Sequence, residues 1–175
     1  MRTLTYKIAF ISSLCFSALA LTACQTPDLG KKDPEKAAKV RTQLAVEYIK
    51  AGDLDAAKRA LDQALETQPR DAQANMMMGV LLQQEGSPLN MEKADSYFRR
   101  AISAEPKNAQ ARNNYGTYLY QIERYNDALE QLNIAGATLG YDQRARALEN
   151  AGRIYLKLGD AVNAEKSFKQ ALQAN

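Results

Sequence analysis

At 175 residues with a formal net charge of +3, the chain has the length of a single domain. It contains no histidine, which excludes Ser-His-Asp and Cys-His catalysis and histidine metal ligation by simple absence. Loss of a leader carrying Arg2 and Lys7 would leave 3 − 2 = +1, too little for a nucleic-acid footprint.

The first predicted element is a leader over residues 1–23. Arg2 and Lys7 precede the apolar run Ile8 to Leu21, and Thr22-Ala23-Cys24 follows; these are a charged n-region, an h-region and a small-residue cleavage site. The run is too short for a stable transmembrane helix. Leu21-Thr22-Ala23-Cys24 is similar to the bacterial lipobox, whose cysteine thiol is acylated and becomes the first residue after cleavage. Cys24 is therefore the expected lipidation site. The other reading is an ordinary secretory signal with an incidental cysteine, as Cys15 in the h-region illustrates. Only Cys24 has small residues before it and a polar Gln-Thr-Pro-Asp stretch after it. In Gram-negative lipoproteins, glutamine in place of aspartate after the cysteine implies export to the outer membrane, with the protein on its periplasmic face. With Cys15 removed and Cys24 acylated, no thiol remains for a disulfide or a metal, and no cofactor is expected. Residues 24–37 hold two prolines, one glycine and mixed charge without apolar periodicity, the composition of a solvated tether.

From residue 38 the apolar pattern repeats in four copies, 38–71, 72–108, 109–144 and 145–175. Asn113 to Ala135 shows it best: Gly116 lies three residues before Leu119, and Ala128, Leu132 and Ala135 follow after a short turn. The first copy answers with Ala45, Tyr48, Ala57, Leu61 and Ala64, the second with Gly79, Leu82, Ala94, Phe98 and Ala101, the fourth with Gly152, Tyr155, Ala164, Phe168 and Ala171. The spacing resembles the tetratricopeptide repeat, with its period of about 34 residues and two helices per unit. The expected fold is an all-α superhelical solenoid of four helix-turn-helix repeats. Gly116 sits where the two helices of its repeat cross closely. Leucine there should overpack, whereas alanine, present at the same mark as Ala45, should be tolerated. Pro69 and Pro106 stop the second helix of their copies. Gly140 replaces proline in the third. Three extra residues between Gly86 and Ala94 are assigned to the turn inside the second copy. Of Met76-Met77-Met78, Met78 is read as core and Met76 as pointing elsewhere, since consecutive helical residues cannot share one face. The last helix, Ala161 to Ala174, is expected to leave Phe168 and Leu172 along an uncovered apolar edge.

The charged residues alternate in sign on outward faces, the tyrosines fall at core or near-core marks, and the sequence offers no paired acid and base. The expected class is a binding module, not an enzyme, with a protein partner and neither nucleic acid nor a small-molecule substrate. In a tetratricopeptide array the first helix of each repeat lines the concave face. Counted from Ala38, Ala72, Ala109 and Ala145, positions two, five, nine and twelve then point into the expected partner-binding groove, whose residues include Thr42, Val46, Ile49, Met76, Val80, Gln83, Asn113, Thr117, Tyr120, Glu149, Arg153 and Leu156. The first two copies would supply its apolar part.

Two phrases are similar to a narrower group. Asn113-Asn114-Tyr115-Gly116-Thr117-Tyr118-Leu119 and Ala147-Leu148-Glu149-Asn150-Ala151-Gly152 resemble the type IV pilus biogenesis and stability proteins, the PilF/PilW family of outer-membrane pilotin lipoproteins. The resemblance runs from the lipobox to the C-terminus. It implies a lipid-anchored, non-enzymatic scaffold that carries the pilus secretin to the outer membrane and promotes its multimerisation. Members of that family usually continue through further repeats. Asn113, Asn114 and Asn150 are expected to hydrogen-bond across the stack. A different class of function, an envelope adaptor lipoprotein that docks peptidoglycan hydrolases or proteases, fits the same repeats. On either reading the anchor is testable. Acyl chains contribute about 0.8 kcal/mol per buried CH₂, so Cys24→Ser should leave the repeats folded and move the protein out of the outer-membrane fraction. Membrane recovery of the serine variant at wild-type level would contradict the assignment.

Overall fold

The computed structural model describes residues 33–174, so the leader, Cys24 and most of the tether lie outside the described residues. Those described form eight α-helices and no strand: α1 (Pro34–Ala51), α2 (Leu54–Thr67), α3 (Ala72–Glu85), α4 (Pro88–Ala104), α5 (Ala109–Gln121), α6 (Tyr125–Ala137), α7 (Arg144–Lys157) and α8 (Ala161–Gln173). They pack in order as four helical hairpins, each with an A helix (α1, α3, α5, α7) and a B helix (α2, α4, α6, α8). Successive A helices approach one another and successive B helices do not. The stack therefore curves with the A helices on its inner side, the all-α repeat solenoid expected from the spacing.

Turn chemistry sets the ends of these helices. In three of the hairpins a glycine takes the left-handed conformation after the A helix, Gly52 (φ +79), Gly86 (φ +69) and Gly159 (φ +79). The following Asp53, Ser87 or Asp160 caps the next helix through its side chain. In the third hairpin these two places hold Glu123 and Arg124. Glu123 adopts φ +61, where an L side chain crowds its own backbone, and α6 has no side-chain cap. Between repeats, Pro69 and Pro106 follow the capping residues Gln68 and Glu105 and prevent the helix from continuing. Gly140 (φ +78) makes the third exit.

Two boundaries differ from the sequence reading. Residues 34–37 belong to α1, not to the tether: Asp33 Oδ1 accepts from the Glu35 and Lys36 N–H groups, both at 3.1 Å, and Pro34 occupies the first turn, where its missing N–H costs nothing. The three extra residues of the second copy lengthen α4 to 17 residues, against 14 in α2 and 13 in α6 and α8, instead of lengthening the turn. Ser87 caps them, accepting from the Asn90 N–H at 3.2 Å. The added turn has a use, since the Met91 carbonyl accepts a 2.7 Å hydrogen bond from the Tyr118 hydroxyl of α5.

In the second, third and fourth hairpins a glycine of the A helix meets a large residue of the B helix. A Cβ built on Gly79 would stand 2.9 Å from the Phe98 ring, one on Gly152 would stand 2.7 Å from the Phe168 ring, and one on Gly116 would stand 2.6 Å from Leu132 Cγ and 3.2 Å from the Ala128 carbonyl oxygen. This corrects the expectation for Gly116→Ala. Alanine fits at position 45, but at 116 it would press on the branch carbon of Leu132, which cannot swing away as a side-chain tip could. Phe168, half-buried against Gly152, faces its own hairpin and not an uncovered edge. The exposed apolar residues of α8 are Val162 and Leu172, both 78% exposed.

The second and third hairpins are also tied by a polar hub. Asp95 of α4 accepts from Tyr115 Oη at 2.9 Å and Arg99 Nε at 2.6 Å, and takes an ion pair from Arg124 at 3.3 Å. Burial, with the Asp95 carboxylate beside it, pushes the Tyr115 phenol up to about 12. Tyr115, Tyr118 and Phe98 form an aromatic cluster with ring centroids 5.4 to 6.0 Å apart. α3 is enclosed by α1, α2, α4 and α5. Met76, Met77 and Met78 are therefore all buried, at 0%, 8% and 1% exposure: a helix with neighbours on several sides has no single inward face.

The strained third turn gives a direct test. Glu123→Gly relieves the left-handed cost of about 1–2 kcal/mol, partly offset by the freedom glycine adds to the unfolded chain. The variant should unfold at higher urea concentration than wild type. A lower midpoint would show that the Glu123 side chain contributes more than its backbone strain removes.

Candidate functional site

The expected groove residues fall into three groups. Those at position five are buried in the first three repeats: Thr42 (2% exposed), Met76 (0%) and Asn113 (3%). They lie on the flank of their A helix, not on its inner crest. Thr42 donates back to the Ala38 carbonyl at 3.0 Å and presents no hydroxyl to a partner. Met76 is a core residue, and a charge there would break the fold before it could probe a surface. Glu149, at the same position in α7, is half-buried. At position nine, Val46 and Val80 are half-buried against the core, and Thr117 and Arg153 are exposed. At position twelve, Ile49 and Gln83 are half-buried, and Tyr120 and Leu156 are 39% and 56% exposed. The apolar groove of the first two repeats is thus narrower than expected, reduced to the partly covered Val46, Ile49 and Val80.

The structure brings together a different set. An open cleft of about 540 Å³ lies across the inner sides of α3, α5 and α7, lined by Val80, Gln83, Gln84, Asn113, Asn114, Thr117, Gln121, Arg146 and Asn150. Val80, Gln83, Asn113 and Thr117 are among the residues named from the sequence, and Arg146 stands at position two, which the same count includes; Gln84, Asn114, Gln121 and Asn150 stand at positions it omits. The signal for them was the helical period. Positions two, six, nine and thirteen keep to one line on a helix of 3.6 residues per turn, whereas five and twelve each lie one residue to the side, against the neighbouring A helix.

The cleft is made of amides. Gln83 Nε2 donates to Gln121 Oε1 at 2.8 Å and bridges α3 to α5. Contrary to expectation, the Asn114 and Asn150 side chains make no hydrogen bond across the stack among the described residues, whereas the Asn113 amide lies beside the Tyr141 hydroxyl. Asn114 and Asn150 face the cleft, and the Asn113 amide oxygen is buried without a partner. The Tyr141 phenol is raised by burial and pulled back by the neighbouring Arg146 charge and by the Asn113 amide beside it. Side-chain amides both donate and accept, as does a peptide backbone. Together with one guanidinium and one hydroxyl they suit recognition of a polypeptide.

Position four of the A helices serves the stack and not the cleft. Asn75 Nδ2 donates to the Pro69 carbonyl at 3.0 Å and Arg112 Nε to the Pro106 carbonyl at 2.9 Å. Arg144 Nε reaches the Gly136 carbonyl at 2.7 Å ahead of the fourth repeat. These bonds fix each inter-repeat loop, and with it the angle at which the next A helix enters the inner face.

The tetratricopeptide-repeat family pattern matches residues 42–88 and 90–138, and again 145–175. The chain is 33% identical over 165 residues to the type IV pilus assembly protein PilF of Pseudomonas aeruginosa, an alignment that covers 90% of this chain and 64% of PilF. Its fold is similar to the solved structure of Pseudomonas aeruginosa PilF (TM-score 0.77, 32% identity, 82% of this chain and 64% of that one). It is also similar to PilW, a type IV pilus biogenesis factor (TM-score 0.71, 29% identity, 78% and 61%). The chain thus spans less than two thirds of the length of these relatives. With the repeat pattern matched over most of its length and its fold shared with PilF and PilW, the chain belongs to the tetratricopeptide-repeat family, as a PilF/PilW-like member.

Proposed function

We propose that the protein is a lipid-anchored pilotin: acylated at Cys24, held on the periplasmic face of the outer membrane, and binding the type IV pilus secretin subunit so that the secretin reaches the membrane and multimerises. The similarity to PilF and PilW supports the pilus assignment, and the lipobox-like Leu21-Thr22-Ala23-Cys24 supports the anchor. The observation that carries the binding surface is the amide-lined cleft across α3, α5 and α7. The partner would lie along the A helices, over Val46, Ile49 and Val80 at one end, Gln83, Thr117 and Tyr120 in the middle, and Arg153 and Leu156 at the other. Short apolar contacts would give affinity and the amides register.

Asn114 and Asn150 are suitable probes, because neither side chain forms a hydrogen bond among the described residues and truncation should cost little stability. Asn114→Ala with Asn150→Ala should leave protein level, helicity and membrane location unchanged while heat-resistant secretin multimers and surface pili are lost. Normal multimers from the folded double variant would move the secretin site away from this cleft. Intact pili from a deletion strain would refute the pilotin reading itself.

A further inference from the structure

On the outer side of the stack, away from the cleft, we infer that a pocket between α6 and α8 binds a phosphate or phosphomonoester group through Arg144, Lys166 and Ser167. The helices α6 and α8 do not touch one another, and α7 floors the gap between them. The pocket there has a volume of about 450 Å³ and is bordered by Asn133 and Gly136 of α6, Arg144 and Tyr155 of α7, and Lys166 and Ser167 of α8. Neither aspartate nor glutamate is part of its lining.

Three donors in it are unused. Ser167 is 6% exposed and lines the pocket, yet its hydroxyl forms no hydrogen bond among the described residues. Thr42, Thr67, Thr117 and Thr138 each turn theirs back to the carbonyl four residues earlier. A buried hydroxyl left without a partner is costly, and an incoming oxygen would satisfy it. Arg144 is half-buried, and its Nε donates to the Gly136 carbonyl at 2.7 Å. That bond fixes the guanidinium and leaves its two Nη groups without a partner among the described residues. Lys166 forms no ion pair there either, because the adjacent Glu165 pairs with Lys169 at 2.5 Å and Asp160 is held by Asn163 at 2.6 Å. A guanidinium edge takes two oxygens of an oxyanion. The ammonium and the hydroxyl are then left for a third, which a phosphomonoester has and a carboxylate lacks.

The groove one repeat earlier, between α4 and α6, serves as an internal comparison. Counted from Leu132 against Phe168, its counterparts of Asn163, Lys166 and Ser167 are Asp127, Glu130 and Gln131. Gln131 Oε1 accepts from Arg112 Nη1 at 2.6 Å, so a cation beneath that groove is satisfied within the fold, and two acids stand on its wall. The last groove instead carries a shorter side chain, a lysine and an arginine with donors to spare.

Amide NMR spectra of the isotope-labelled full chain in neutral detergent, titrated at constant pH and ionic strength, test the assignment. Inorganic phosphate, or phosphatidic acid added to the micelles, should give saturable shifts centred on Gly136, Arg144 and Ser167. Acetate should bind at least tenfold more weakly. Saturation by inorganic phosphate in lipid-free micelles would identify a soluble phosphate ligand, and saturation by phosphatidic acid alone a lipid headgroup; either supports the inference. Lys166→Gln with Ser167→Ala should keep the wild-type thermal melt and weaken binding about tenfold, the loss of one charge-assisted contact. Lys93→Gln with Ser96→Ala, the same change on the exposed side of α4, should bind as wild type does. No saturable shift with either probe, acetate binding as tightly as phosphate, unchanged binding by the α8 variant, or equal loss in the α4 control would each overturn the inference. No pilus component enters this assay, so its result is independent of the pilus assignment.

Discussion

Three of the four hairpins depend on one steric arrangement, a glycine on the A helix opposite a bulky residue on the B helix. Gly79 faces Phe98, Gly116 faces Leu132 and Gly152 faces Phe168, each so close that a Cβ would stand under 3 Å from the partner. The close approach lets Leu61, Phe98 and Leu132 be buried completely. Full burial of one such side chain is worth about 1.5–3 kcal/mol. The same device appears once between repeats, where Gly136 of α6 admits Leu148 of α7 with a would-be Cβ at 2.7 Å, and α6 and α7 pack closely there.

The inner face follows from this. Because each A helix is pulled tightly onto its own B helix, the A helices stand side by side on one surface, and their flanking residues at position five are covered by the stack. What remains accessible is the crest of each helix. In α3, α5 and α7 that crest carries Gln84, Asn114, Gln121 and Asn150, of which Gln121 is held by Gln83. The second and third hairpins, which carry the cleft's centre, are also the ones joined by Asp95, Tyr115 and Arg124. The candidate cleft thus spans a junction that these polar contacts tie together.

Much of this was legible in the chain. The recurrence of Gly79, Gly116 and Gly152 with Phe98, Leu132 and Phe168 has one physical explanation, helices crossing at close range, and it gave the fold and the hairpin count. Gly-Asp pairs at 52–53 and 159–160 marked turns because glycine permits positive φ and aspartate caps. Other features depend on contacts that periodicity does not encode. Nothing in a single helix tells whether position five is covered by its neighbour, so Thr42, Met76 and Asn113 were placed in the groove when the stack buries them. The extra residues before Ala94 looked like turn because of Ser87 and Pro88, yet serine and proline are equally the cap and first residue of a helix, and α4 uses them so. Asn114 and Asn150 were noted for their recurrence and given to the stack. That neither has a hydrogen-bond partner among the described residues is a fact of three dimensions.

The central claim is that glycine at 116 exists to admit Leu132, and a double-mutant cycle measured by urea denaturation tests it most directly. Gly116→Ala alone should cost about 1–3 kcal/mol by overpacking. In a Leu132→Ala background the clash is gone, and the same substitution should cost nothing, or stabilise by up to about 1 kcal/mol through helix propensity, giving a coupling above about 1 kcal/mol. An equal cost for Gly116→Ala in both backgrounds would mean that the two residues do not constrain each other, and would contradict the account.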